Sequence, residues 1–239
     1  MDTIKINKQN VKMIAHRGLS GIELENTCSA FVAAGNRSYY GVETDVHVTA
    51  DGKYVVIHDD TTERVAKEAL PVEDSSYDVL RAIPLLDKQG RPRADQLIPS
   101  LEEYLRICAT YEKHCVLELK NPLTREELEG ALAIIHSLVP LTQITFISFQ
   151  YDTLCILREL EPEADIQFLC SCDVDETLVE KLLVHRFDLD IRYSQLTAAG
   201  IALLHSHGIK VNCWTVDDPV AAEQLAAWGI DQITSNILE

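Results

Sequence analysis

Apolar residues in this chain recur in two rhythms. Short apolar runs at 12–16, 41–46, 116–119, 144–149, 166–170, 189–193, 210–215 and 231–234 have the length and β-branched content of strands. Between them, apolar positions fall three or four apart at 25–35, 100–111, 124–138, 152–160, 175–184, 197–207 and 219–228, which is the spacing of helices with one buried face. Thr124-Arg-Glu-Glu127 is a capping box, in which hydroxyl and carboxylate satisfy each other's backbone N–H. Gly208 and Gly229 fall just past helical runs, where a left-handed cap is needed. Strands alternating with helices in this way predict an α/β fold, a closed parallel (β/α)8 TIM barrel rather than an open sheet. One domain over 1–239 accommodates it.

Two irregularities interrupt the alternation. Asp51-Gly52 turns the chain, so 54–58 is expected to return antiparallel to the second strand. A polar stretch at 59–99 follows, with Pro71, Pro84, Gly90 and Pro92 and one helical segment at 77–82. It reads as an insertion laid over the mouth of the barrel. After the last strand only 236–239 remain, so no eighth helix is expected there, and the first ten residues suit a helix poorly. Either that helix is missing or a second subunit covers the gap, which makes a homo-oligomer an open expectation.

Charge narrows the functional classes. With 21 Lys+Arg against 38 Asp+Glu the formal charge is −17, the wrong sign for a nucleic-acid groove or an anionic membrane surface. A small anionic substrate stays compatible if a cation and a few basic side chains reverse the local field. The seven cysteines include no C-x-x-C pair, and reduced, mostly buried thiols are expected. The N-terminal residues lack an apolar leader and no run has the ~18 apolar residues of a membrane span. A soluble cytoplasmic protein without stable membrane anchoring is the expectation.

The chemistry is concentrated between Met13 and Asp59. Strand residues two apart share a face, so Glu43 projects with Asp45, and Glu118 with Lys120. His16 and Arg17 end the first strand. In a barrel these strand ends meet at one mouth. Three carboxylates meeting there need a cation, and an all-oxygen donor set selects a hard ion, Mg²⁺ or Ca²⁺. Glu25 is either a partner of His16 or Arg17 or a plain helix-start acid. His47 shares the face of Glu43 and Asp45 but is read as a loop histidine. His114, His136, His185, His205 and His207 are read as surface residues.

The ordered set of motifs resembles the glycerophosphodiester phosphodiesterase family. It comprises His16-Arg17-Gly18, Glu25-Asn26-Thr27, Glu43-Thr44-Asp45, Asp51-Gly52, His58-Asp59, the 97–103 segment L-I-P-S-L-E-E, Glu118-Leu119-Lys120, Ile147-Ser148-Phe149 and Trp214-Thr215. The resemblance runs from Ile14 to Thr234. It implies one divalent cation, Mg²⁺ or Ca²⁺, held by Glu43, Asp45 and Glu118, with His16 and His58 as the catalytic acid/base pair. Arg17 and Lys120 would contact phosphate or glycerol, and Trp214 and Phe149 would wall the substrate pocket. Which histidine is the acid stays open, as does direct water attack against a cyclic phosphate. Two departures stand out: Leu24 replaces the proline before E-N-T, and Ser235-Asn236 stands where the family shows an aspartate, which is read as a lost structural hydrogen bond. The expected activity is hydrolysis of a glycerophosphodiester to glycerol 3-phosphate and an alcohol. The rivals are a lysophospholipase D, its acyl path walled by the insertion, and a non-catalytic barrel that binds phosphorylated metabolites.

Overall fold

The computed structural model describes residues 2–87 and 89–239. β1 (Lys12–Ala15), α1 (Cys28–Gly35) and β2 (Gly41–Val48) open the chain, and β2 turns back into β3 (Tyr54–Val56). α2 (Tyr77–Arg81) and a small hairpin, β4 (Leu85–Leu86) with β5 (Pro92–Arg93), follow. Regular alternation then resumes: α3 (Leu101–Thr110), β6 (His114–Leu119), α4 (Arg125–Leu138), β7 (Ile144–Ser148), α5 (Tyr151–Leu160), β8 (Asp165–Cys170), α6 (Glu176–Val184), β9 (Asp188–Arg192), α7 (Ala198–Ser206), β10 (Val211–Trp214), α8 (Pro219–Ala227) and β11 (Gln232–Ser235).

Eight parallel strands, in the order β1-β2-β6-β7-β8-β9-β10-β11, close through the β1–β11 pairing into a (β/α)8 barrel. β3 pairs antiparallel to the end of β2, with Val46 opposite Val56, as the Asp51-Gly52 turn requires. Alternation along β2 explains both faces of the barrel wall. Val42, Val46 and Val48 point outward into the main apolar core with Tyr104 and Leu105 of α3. Glu43 and Asp45 take the other face. Ile14, Val116, Ile147 and Leu169 form a separate, small apolar plug with Trp214. The predicted capping box and glycine caps hold: Thr124 and Glu127 satisfy each other, and Gly208 and Gly229 adopt φ +74° and +85°. Ser100 and Glu103 form a second capping box at α3.

Several local expectations need correction. α1 begins at Cys28, capped by Thr27, and not at Glu25, because Asn26 turns out of helical geometry at φ +52°. The 59–99 segment packs on the flank of the mouth instead of across it: Gln96 reaches Ser29, Arg64 reaches Glu25, and Glu73 reaches Asn121. Its own small core joins Val55 and Ile57 to Val72, Leu80 and Ile98. His114 is buried, stacked on Tyr40 and bonded through Nε2 to Thr145 Oγ1 at 2.8 Å. Cys170 and Cys172 are bonded to each other, since the bend between them brings their Cα atoms to 5.6 Å.

Among the described residues no helix follows β11. The gap is filled from within the chain. The Ile4 N–H donates to the Ile237 carbonyl at 3.1 Å and the Glu239 N–H to the Ile4 carbonyl at 2.9 Å. Leu238, fully buried, enters the main core, and Ile6 and Ile237 pack beside it. Extended β-branched segments thus do the covering, which suits their composition better than a helix. No described helix is long and apolar enough to cross a membrane.

Candidate active site

The strand ends of β1, β2 and β6 carry a dense charged wall. His16, Arg17 and Gly18 form the turn after β1. Arg17 sits at φ +53° and its N–H donates to Glu43 Oε2 at 2.7 Å. Gly18, at φ +75°, packs so tightly on α1 that a Cβ there would lie 2.7 Å from Ala30, so only glycine fits the turn. Glu43, Asp45 and Glu118 are buried and each offers an oxygen within 4.8 Å of the others. Arg17 Nε lies 3.4 Å from Asp45 Oδ2, and Lys120 Nζ lies 2.8 Å from Glu118 and 3.5 Å from Asp45.

Asn26 explains the bend that replaces the expected first turn of α1. Its Nδ2 donates to Asp45 Oδ2 at 2.7 Å while its Oδ1 accepts from Thr44 Oγ1 at 2.8 Å. Glu25 binds Arg17 Nη1 at 2.8 Å and also takes Arg64 from the insertion. Arg64 in turn holds Asp59 at 2.6 Å, and Asp59 holds His58 Nδ1 at 2.6 Å. One arginine of the insertion therefore ties together the partners of Arg17 and of His58.

His16 is fixed from the other side. Its Nδ1 is 2.8 Å from Asn236 Oδ1, and Asn236 is oriented by Ser20 Oγ at 2.7 Å and by donating its Nδ2 to Asp217 at 2.6 Å. The amide is thus the acceptor, so His16 carries its proton on Nδ1 and presents Nε2 toward Glu43, 4.0 Å away. Asn236, read in the sequence as a mere structural loss, touches His16 directly. Position 236 lies at the strand end on the mouth side, which was the available signal.

Burial and neighbours divide the acids. Burial and then the adjacent Asp45 push Glu43 well above the usual carboxylate range, and the same causes lift Glu118 to about 7. Burial also acts to raise Asp45, but Arg17, Lys120, His58 and Asn26 outweigh it and hold Asp45 low. Burial and Arg17 lower His16 to about 4. Burial lowers His58, with Asp45 opposing.

These groups open into one cavity of about 120 Å³. His16, Arg17, Glu43, His58, Glu118 and Lys120 line one side; Ile147, Phe149, Leu169, Asp190, Trp214 and Thr234 line the other. Phe149 is 43% exposed and meets Trp214 edge-on at 5.8 Å. No residue of 59–99 lines this cavity among the described residues. His47 stands apart, buried under the insertion near Glu73 and Asn121.

The sequence profile of the Glycerophosphoryl diester phosphodiesterase family matches residues 16–238. The chain belongs to this family. It is 27% identical over 229 residues to a glycerophosphodiester phosphodiesterase of Caldanaerobacter subterraneus subsp. tengcongensis, covering 94% of this chain and 93% of the relative. Its fold is similar to an Oleispira antarctica phosphodiesterase in complex with the product sn-glycerol-3-phosphate, at TM-score 0.87, 25% identity and 98% and 96% coverage of the two chains. A glycerophosphodiester phosphodiesterase from Thermotoga maritima is similar at TM-score 0.75 and 26% identity, over 95% of this chain and 94% of that one. This family member is a phosphoric diester hydrolase acting on glycerophosphodiesters.

Proposed function

We propose that this phosphodiesterase releases glycerol 3-phosphate and an alcohol by histidine acid/base catalysis beside one divalent cation. The observation carrying the reading is the charged wall: two imidazoles, each locked at Nδ1, share one cavity with Glu43 and Glu118, and Asp45 is buried against those two acids.

The residues fit a hard cation. Asp45 Oδ1 is buried without a hydrogen-bond partner, and three crowded acids in a protein interior repel unless positive charge joins them. Glu43, Asp45 and Glu118 would hold the ion, and their oxygen-only set suits Mg²⁺ or Ca²⁺. When bound, the ion supplies charge neutralisation of the phosphodiester and of its more negative transition state.

The chain's own groups do the rest. Arg17 and Lys120 both line the cavity and bring positive charge and N–H donors to a phosphate oxygen there. Asn236 is a neutral partner and favours a neutral His16, whose Nε2 can take a proton from the attacking hydroxyl. Asp59 is a carboxylate and favours a charged His58, which can protonate the departing alkoxide. Water or a neighbouring substrate hydroxyl can be the nucleophile in this scheme. Phe149, exposed and packed edge-on against Trp214, forms the lip beside the leaving alcohol and selects weakly among alcohols.

The test is release of glycerol 3-phosphate from a panel of glycerophosphodiesters, with and without chelator. Loss of turnover in chelator and its return with Mg²⁺ or Ca²⁺ are expected. Full turnover in excess chelator removes the cation, and activity restricted to long-acyl substrates replaces the reading with a lysophospholipase D.

A further inference from the structure

We propose that Asp190, with the indole N–H of Trp214, forms the subsite that recognises the free hydroxyls of the substrate's glycerol. The inference rests on the phosphodiesterase reading and deepens it.

Asp190 lies in β9, four strands from β2 in either direction around the barrel, and so directly across from Glu43 and Asp45. It is 1% exposed. Its neighbours are Glu118, which repels it, and Asn212, its register partner in β10. Leu169, its register partner in β8, is apolar and lines the same cavity. A carboxylate buried at such a position is costly, whereas another leucine would not be. Its Oδ1 has no hydrogen-bond partner, although Asp190 lines the cavity. Asn212 is fixed in turn by Thr234, with Oγ1 contacts at 3.2 and 3.3 Å. The neighbouring amide is therefore fixed while one Asp190 acceptor stays uncommitted.

The same wall also offers an uncommitted donor. Trp214 Nε1 is buried without a partner. An acceptor and a donor lining one cavity complement a hydroxyl, which both donates and accepts. Thr234 lines the same cavity, its hydroxyl committed to Asn212. The arrangement orients the substrate: glycerol goes to the closed polar wall and the alcohol to the open lip at Phe149. The recognised half is then common to all glycerophosphodiesters, and the variable half meets only aromatic surface.

The experiment compares wild type, Asp190→Asn and Asp190→Leu on glycerophosphocholine and on bis(p-nitrophenyl) phosphate, which has no glycerol. The ratio of the two kcat/KM values is expected to fall ~10-fold in the Asn variant and ~100-fold in the Leu variant, as in a site built to bond a hydroxyl. Inhibition of bis(p-nitrophenyl) phosphate hydrolysis by glycerol 3-phosphate should weaken in the same order, while inhibition by inorganic phosphate follows no such order. The near-isosteric Asn variant, checked by its melting temperature, keeps the test meaningful if the Leu variant misfolds. A ratio and an inhibition order indistinguishable from wild type overturn the proposal. So does a penalty that follows the choline cation when glycerophosphoglycerol is substituted. If wild type fails on every glycerophosphodiester, the parent reading fails, and the inhibition series still decides the role of Asp190.

Discussion

Glu43 and Glu239 are both 3% exposed, and their environments differ in every other respect. Glu239, in the segment that closes the barrel, takes hydrogen bonds from Thr3 Oγ1 at 2.6 Å and from the Ser38 N–H, and it pairs with Lys5 at 2.7 Å. Burial acts to raise its pKa, but those partners win and lower it to about 2. Glu43 takes the Arg17 N–H and is crowded by Asp45 and Glu118, so it moves the other way. A buried carboxylate that only holds the fold has its bonds completed by the chain. One whose bonds are left incomplete at a cavity is poised for something else to complete them.

The contrast is sharpest at the imidazoles, where removing one group should affect chemistry and spare the fold. His16→Ala and His58→Ala are each expected to lower turnover ~10²–10⁴-fold with little change in melting temperature. The leaving group separates their roles. With a p-nitrophenyl leaving group, which needs no proton, the loss in His58→Ala should shrink while that in His16→Ala persists. If the two variants respond to leaving group in the reverse order, the acid and base are exchanged. Near-normal turnover in either variant removes that histidine from the mechanism.

Glu43→Gln tests the incomplete bonds directly. Turnover is expected to fall ~10²–10³-fold, the scale of losing one preorganised electrostatic group. In chelator the same variant should melt higher than wild type, by ~2–4 °C if about 1 kcal/mol of repulsion is relieved in a chain of this length. A variant that keeps activity and melts lower would show Glu43 to be structural, like Glu239.

The barrel was legible in the sequence because its signal is periodic: outward Val42, Val46 and Val48 alternate with Glu43 and Asp45, and a capping box marks Thr124. Many of the residues now gathered around the cavity were legible because their motifs end strands. What stayed hidden depends on distance across the fold. Asn26 leaves the helix because Asp45, 19 positions on, takes its amide. Asn236 matters because His16 lies 220 positions away in sequence and 2.8 Å away in space. Asp190 reads as one more acid in an acidic chain until the barrel closes and sets it opposite Glu43 and Asp45. The closing segment was hidden for the same reason, since Ile4 and Leu238 pair only once the strands between them have closed the ring.

Glu239→Gln completes the comparison with the smallest effect on catalysis. No change in kcat/KM is expected, since Glu239 does not line the cavity. Stability should fall by about 1–2 kcal/mol, because charge-assisted bonds to Lys5, Thr3 and the Ser38 N–H weaken together. The pH dependence follows in sign. A carboxylate with a folded pKa near 2 and an ordinary value of 4.5 contributes stability fully above pH ~4.5. That contribution drains as the pH falls from there toward about 2. Urea melts of wild type and Glu239→Gln should therefore differ at pH 7 and converge as acid titrates the wild-type carboxylate. A constant gap across that window would mean that Glu239 acts through shape alone, and the distinction drawn between the two buried glutamates would lose its electrostatic basis.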